Sequence, residues 1–149
     1  MKPGRGPGSS MEKRILLGAL VALGVMLGFE LLVAASGRAL DLPMDTGIGH
    51  VPLAGLLVNL LAMVAGGRIA REGFRVPALI LSALISVCVV ASLQLSAAHA
   101  QLPGVFGLTD VLRYNALAFA LGLLAAWSGA TLGERWARHA SSGGVAVTR

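Results

Sequence analysis

The stretch Ile15 to Gly37, ILLGALVALGVMLGFELLVAASG, decides the fold class. It is apolar throughout except for Glu30. At 1.5 Å per residue it is long enough to cross a hydrocarbon core about 30 Å thick. Three further runs of the same kind follow, from about Val51 to Ala70, Val76 to Ala98 and Val111 to Gly133. A membrane barrel is built from alternating segments of about ten residues, whereas these runs are continuous, rich in Leu and Ala, and about twice that length. The sequence therefore predicts an all-α integral membrane protein, with four transmembrane helices in an up-down-up-down bundle.

The whole chain fits that reading. Its 149 residues are 56% hydrophobic and 13% charged, with a mean hydropathy of +0.79. An average water-soluble domain carries roughly 25% charged residues. The 20 Gly follow no three-residue period, which excludes collagen-like structure. Cys88 is the sole cysteine, so no intrachain disulfide and no cysteine-based zinc site can form. Pro52 and Pro77 stand at helix starts, where a missing N–H is harmless, and Gly37, Gly73 and Gly104 lie in or beside connections.

Cation placement predicts the orientation. Lys2, Arg5, Lys13 and Arg14 precede the first span, Arg68, Arg71 and Arg75 lie between the second and third, and Arg135, Arg138 and Arg149 follow the fourth. Only Arg38 and Arg113 fall in the opposite connections, beside Asp41, Asp45 and Asp110. The positive-inside rule then places both termini in the cytoplasm of a plasma or bacterial inner membrane. The net charge of +5 frames helix ends and has no aromatic platform beside it, so it predicts lipid-headgroup contact and no nucleic-acid partner. A signal-peptide reading of the first span fails on length and on its carboxylate, since a signal h-region runs to about 7–15 residues. Residues 1–13 are expected to be a flexible basic tail, 14–138 the membrane domain, and 139–149 a second flexible tail; Met11 offers an alternative start.

A shift of 67 residues lays the second span over the fourth, with Gly55 on Gly122, Gly66 on Gly133 and Arg68-Ile69-Ala70-Arg71 on Arg135-Trp136-Ala137-Arg138. This suggests a duplicated helical hairpin repeated in parallel. Lipid tails are as apolar as Leu, so helix association has to come from close backbone approach and polar pairs. The expected packing residues are Gly24 and Gly28 on the first helix, Gly55, Ala62 and Gly66 on the second, and Gly122 and Gly129 on the fourth; with Asn59 on the second and Ala118 and Ala125 on the fourth they recur every three or four residues along one face.

Glu30 is the most informative polar residue. It lies roughly 7 Å beyond the middle of its span, and points about 120–160° away from Gly24 and Gly28. A charge at the bilayer centre costs roughly 2.5–3.5 kcal/mol on insertion scales, so this carboxyl must be protonated, paired or facing water. The candidate polar partners are His50, Asn59, Gln94, Arg113 and Asn115, with Arg113 expected as its counter-charge and Asn59 as an interhelical hydrogen-bonding residue.

Catalytic patterns are lacking. Asp45-Thr46-Gly47 matches the aspartic-protease triplet, but occurs once, in a short connection between helices. His50, His99 and His139 do not form a metal pair at i, i+4, and neither HExxH nor GxSxG is present. The sequence predicts no enzyme, no metal site and no cofactor. It predicts a small membrane protein acting through helix association, as a homo-oligomer or as an accessory subunit bound to an unlike membrane partner. The alternative is a small proton- or cation-coupled transporter or channel using Glu30.

Overall fold

The computed structural model describes residues 8–36, 44–45, 50–99 and 107–142. Four helices dominate it: α1 (Gly8–Ser36), α2 (Leu53–Ala70), α3 (Arg75–His99) and α4 (Leu108–Ser142). Each is long and apolar enough to cross a membrane. A two-residue ladder, β1 (Met44–Asp45) and β2 (His50–Val51), pairs antiparallel between α1 and α2, with Met44 opposite Val51 and Asp45 opposite His50.

Helix boundaries differ from the sequence reading in three places. Helix α1 begins at Gly8, inside the stretch expected to be tail, and α4 runs on to Ser142, well past Gly133. The segment beyond Gly133 remains helical because one side of it is buried: Glu134 and Ala137 pack inward while Arg135 and Trp136 face out. Val51 belongs to a strand, with its side chain buried and β2 resting on α4. A hydropathy pattern registers the buried valine but cannot tell a strand end from a helix start.

Helices α2 and α4 form the central contact. Helix α1 lies against α2, and α3 lies against α4. The core consists mostly of small residues: Ala22, Ala62, Ala70, Ala78, Ala126 and Ala130, together with Met63 and Phe74, are all buried. Small side chains let the backbones approach. A Cβ on Gly67 would stand 2.6 Å from the carbonyl oxygen of Ala130, and one on Gly129 would stand 2.5 Å from that of Leu60. Gly133 is packed still more tightly, against the backbone of Val64, Gly67 and Arg68. Two neighbouring glycines serve two neighbouring helices, because successive helical residues point about 100° apart. Gly67 meets α4, while Gly66 meets Gly18 of α1 and the ring of Phe74.

The connection between α2 and α3 is short and sharply bent. Arg71 (φ 69°, ψ −44°) and Gly73 (φ 76°) both adopt positive φ. Glycine takes that conformation freely; for a side-chain-bearing residue it costs on the order of 1–3 kcal/mol. Arg71 is held there by its N–H, which donates to the Gly67 carbonyl at 2.9 Å.

Candidate functional site

Among the described residues, buried polar groups gather in two places, neither of which includes Glu30. The first is a node where α2, α3 and α4 meet. Asn59 is buried, and its Nδ2 donates to the Gly122 carbonyl at 2.9 Å. Ser82 Oγ donates to the same carbonyl at 3.4 Å and lies 3.4 Å from Asn59 Nδ2. One carbonyl oxygen thus gathers side chains from two other helices, using the spare lone pair of a helical C=O. Ser86 Oγ donates to the Ser82 carbonyl one turn earlier, at 2.9 Å. Asn59 Oδ1 is buried and accepts no hydrogen bond. Turning the amide over would set this oxygen against the Gly122 carbonyl, so the observed orientation is the favoured one.

The second place is a clamp at the start of α3. Glu134 is only 3% exposed. Its Oε1 accepts the Phe74 N–H at 2.8 Å, and its Oε2 accepts Arg75 Nε–H at 3.2 Å. Phe74 supplies the carbonyl that opens the first turn of α3, accepting from Ala78 N–H at 2.9 Å. The carboxylate therefore sits at the positive end of the helix and satisfies one of its free donors. The Phe74 ring, fully buried, fills the space over Gly66. One acid on α4 fixes where α3 begins and, through Phe74, how α3 seats on α2.

Of the residues singled out in the sequence, Asn59 is placed as expected, in an interhelical hydrogen bond. Glu30 is exposed, Arg113 is exposed, and the two form no ion pair. The expected counter-charge is not a neighbour: α1 packs on α2, whereas Arg113 rides on α4, whose principal partners are α2 and α3. Asn115 turns back on its own helix, donating to the Val111 carbonyl at 2.9 Å. Gln94 is half-buried on a shallow apolar groove between α3 and α4. The backbone of His50 pairs with Asp45, and its side chain lies outside the described residues. Among the described side chains, no ion pair or hydrogen bond joins Glu30 to Asn59, Arg113 or Asn115.

The expected packing residues divide in a similar way. Ala62, Gly66 and Gly129 are buried at helix contacts, Gly122 faces the polar node, and Gly55 is half-buried. A Cβ added to Gly24 or Gly28 would meet nothing within 4 Å. Within one chain, α1 packs instead through Gly18, a residue the GxxxG spacing did not single out. Glu134 is not among the residues the sequence singles out, because it lies just beyond the apolar run that ends at Gly133. The available signal was helical spacing: Ala126, Ala130, Glu134 and Ala137 recur at four, four and three residues, so the acid continues a small-residue face.

Among the described residues, no three His, Cys, Asp or Glu side chains converge as a metal site would require. No protein-family model matches the chain, and no curated protein or solved structure is significantly similar to it.

Proposed function

We propose that this chain is a multi-pass membrane protein of a plasma or bacterial inner membrane, arranged up-down-up-down with both termini cytoplasmic, and that it acts through helix association. Its partner is a second copy of the chain or an unlike membrane subunit. The observation that carries this reading is the outer face of α1. Gly24 and Gly28 stand bare on it, about 160° and 120° around the helix from the buried Ala22. In lipid, a smooth glycine face gains its contact energy only from another helix. Glu30 lies on a flank of the same helix, exposed and without an ion pair among the described residues. A carboxyl at that depth is costly against lipid, so a neighbouring helix that offers it a hydrogen-bond partner would favour association.

Mass determination of the full chain in nanodiscs tests this. The wild-type chain is expected as a dimer or larger, or in a stoichiometric complex with an unlike subunit, and Gly28→Leu is expected to release a monomer of unchanged thermal stability. A wild-type chain that is monomeric at every protein-to-lipid ratio, with no co-purifying membrane subunit, would overturn the reading. The alternative, transport through Glu30, requires polar groups converging on that acid. Among the described residues, the buried Asn59, Ser82 and Glu134 bond across α2, α3 and α4 and none bonds to Glu30, which favours association.

A further inference from the structure

A second kind of site lies at the end of the bundle where α1 begins and α2 and α4 end. A cavity of about 350 Å³ opens there, lined by Ser10, Arg14, Arg71, Glu72 and Arg138 over a floor that includes Ala70 and Ala137. The volume is at the low end of the roughly 300–1,000 Å³ typical of small-molecule clefts. Ala70 and Ala137 are buried, and their small side chains leave the hollow open. Three guanidinium-bearing residues reach its wall from three separate elements, and Glu72 offsets one of the three charges.

All three cations lining the cavity are arginines, as are ten of the twelve cations in the chain. The planar guanidinium offers paired donors that match phosphate oxygens, where an ammonium offers only a point charge. Arg71 also occupies a backbone conformation that its side chain disfavours. The same turn uses a glycine at its other positive-φ position, Gly73, so the local fold accounts for Gly73 but leaves an arginine at 71 unexplained. A strained residue on the wall of a cavity suggests that its side chain has work there. A general rule for orienting membrane segments would be met equally well by a cation one residue away in relaxed backbone.

We propose that this cavity binds a phosphate group, held by Arg14, Arg71 and Arg138. The group belongs either to the headgroup of an anionic phospholipid or to a free phosphate compound. The site is formed by one chain, so it stands apart from helix association and does not require an oligomer.

The test uses the full-length chain in phosphatidylcholine nanodiscs with two probes: phosphatidylglycerol added to the bilayer, and inorganic phosphate added to the buffer. Binding is read by native mass spectrometry for the lipid and by phosphorus NMR titration for the ion. Arg14→Gln, Arg71→Gly and Arg138→Gln are compared with Lys13→Gln and Arg135→Gln, which remove equal charge outside the cavity. Each cavity variant is expected to weaken binding about tenfold, as losing one charge-assisted contact does, while the controls change it little. Arg71→Gly is expected to raise the unfolding temperature of the ligand-free protein while weakening binding, so loss of binding in that variant cannot be put down to misfolding. Saturation by phosphatidylglycerol alone identifies a lipid headgroup, and saturation by inorganic phosphate identifies a free compound. Failure of both probes to bind, or equal weakening by Lys13→Gln and Arg135→Gln, would overturn the proposal.

Discussion

Gly129 and Gly133 of α4 and Gly24 and Gly28 of α1 follow the same four-residue spacing and meet opposite surroundings. On α2 and α4, Gly67, Gly129 and Gly133 press against the backbone of the facing helix, so closely that a single added carbon would strike a carbonyl oxygen or an amide nitrogen. On α1, Gly24 and Gly28 have only open space around them. Spacing marks a face on which backbones can approach, but does not say whether the approaching helix belongs to the same chain. Burial decides that, and the contrast separates a contact made within the fold from a glycine face left open by it.

The comparison breaks most sharply at Gly133. Replacing it with Leu forces the α2 and α4 backbones apart, and overpacking of this kind costs typically 1–3 kcal/mol, with the backbone contact here placing it at the upper end. Gly133→Leu is expected to lower the thermal unfolding midpoint by many degrees or to abolish accumulation of folded protein. Gly24→Leu should leave that midpoint in place and act only on assembly. A loss of stability from Gly24→Leu equal to that from Gly133→Leu would remove the distinction between the two faces.

The two carboxylates set deepest in the helices sharpen the same comparison. Glu134 is buried and accepts two hydrogen bonds, one from the start of α3; Glu30 is exposed. Glu134→Ala leaves the Phe74 N–H without its acceptor, and an unsatisfied buried donor costs about 1–3 kcal/mol. Glu134→Gln keeps one acceptor oxygen and is expected to recover part of the loss. Glu30→Gln is expected to leave the stability of the monomer unchanged. Thermal unfolding of the three variants at a dilution that holds the chain monomeric checks all three outcomes; a Glu30→Gln loss as large as that of Glu134→Ala would show that the exposed acid has an intrachain role.

These cases also show how far the sequence could be read. The four apolar runs are visible because each is set by length and hydropathy alone, and Asn59 is recognisable because an amide in the middle of such a run needs a partner. Arg113 was matched to Glu30 by depth along the membrane normal, which sequence position supplies. Which helix stands beside which is a separate quantity, fixed by contacts such as Gly67 with Ala130 and Gly18 with Gly66. Glu134 is obscured for another reason: an acid beside an arginine at a helix end reads as a solvated charge until Phe74 and Arg75, some sixty residues away in sequence, fold over it. The short β1–β2 ladder leaves almost no pattern, since two residues are too few to show alternation.

A smaller effect follows for the pair that the structure separates. Because Glu30 and Arg113 form no ion pair, removing both should cost the sum of removing each. Glu30→Gln, Arg113→Gln and the double variant are expected to add within about 0.3–0.5 kcal/mol, as independent sites do. A coupling energy above about 1 kcal/mol in this cycle would require the two charges to meet, either within a rearranged chain or across an interface; repeating the cycle on the monomer and on the assembled form distinguishes these cases.

The smallest expected effect tests whether a single stripe is uniform. Gly122 and Gly129 lie seven residues apart on α4, two turns along nearly the same face. A Cβ on Gly122 would be 3.9 Å from both Asn59 Nδ2 and Ser82 Oγ, an ordinary contact, while one on Gly129 would be 2.5 Å from the Leu60 carbonyl oxygen. The backbones are therefore wider apart at the polar node than two turns further along, where there are no polar side chains to accommodate. Gly122→Ala is expected to change stability by no more than about 0.5 kcal/mol, since the methyl fits and alanine favours the helix over glycine by a comparable amount. Gly129→Ala should lose more than 1 kcal/mol, because the clash with Leu60 involves backbone that cannot rotate away. Equal losses at the two positions, measured as unfolding free energies in the same bilayer, would mean that α2 and α4 lie equally close along the whole stripe and that the node is no wider than the glycine contact beside it.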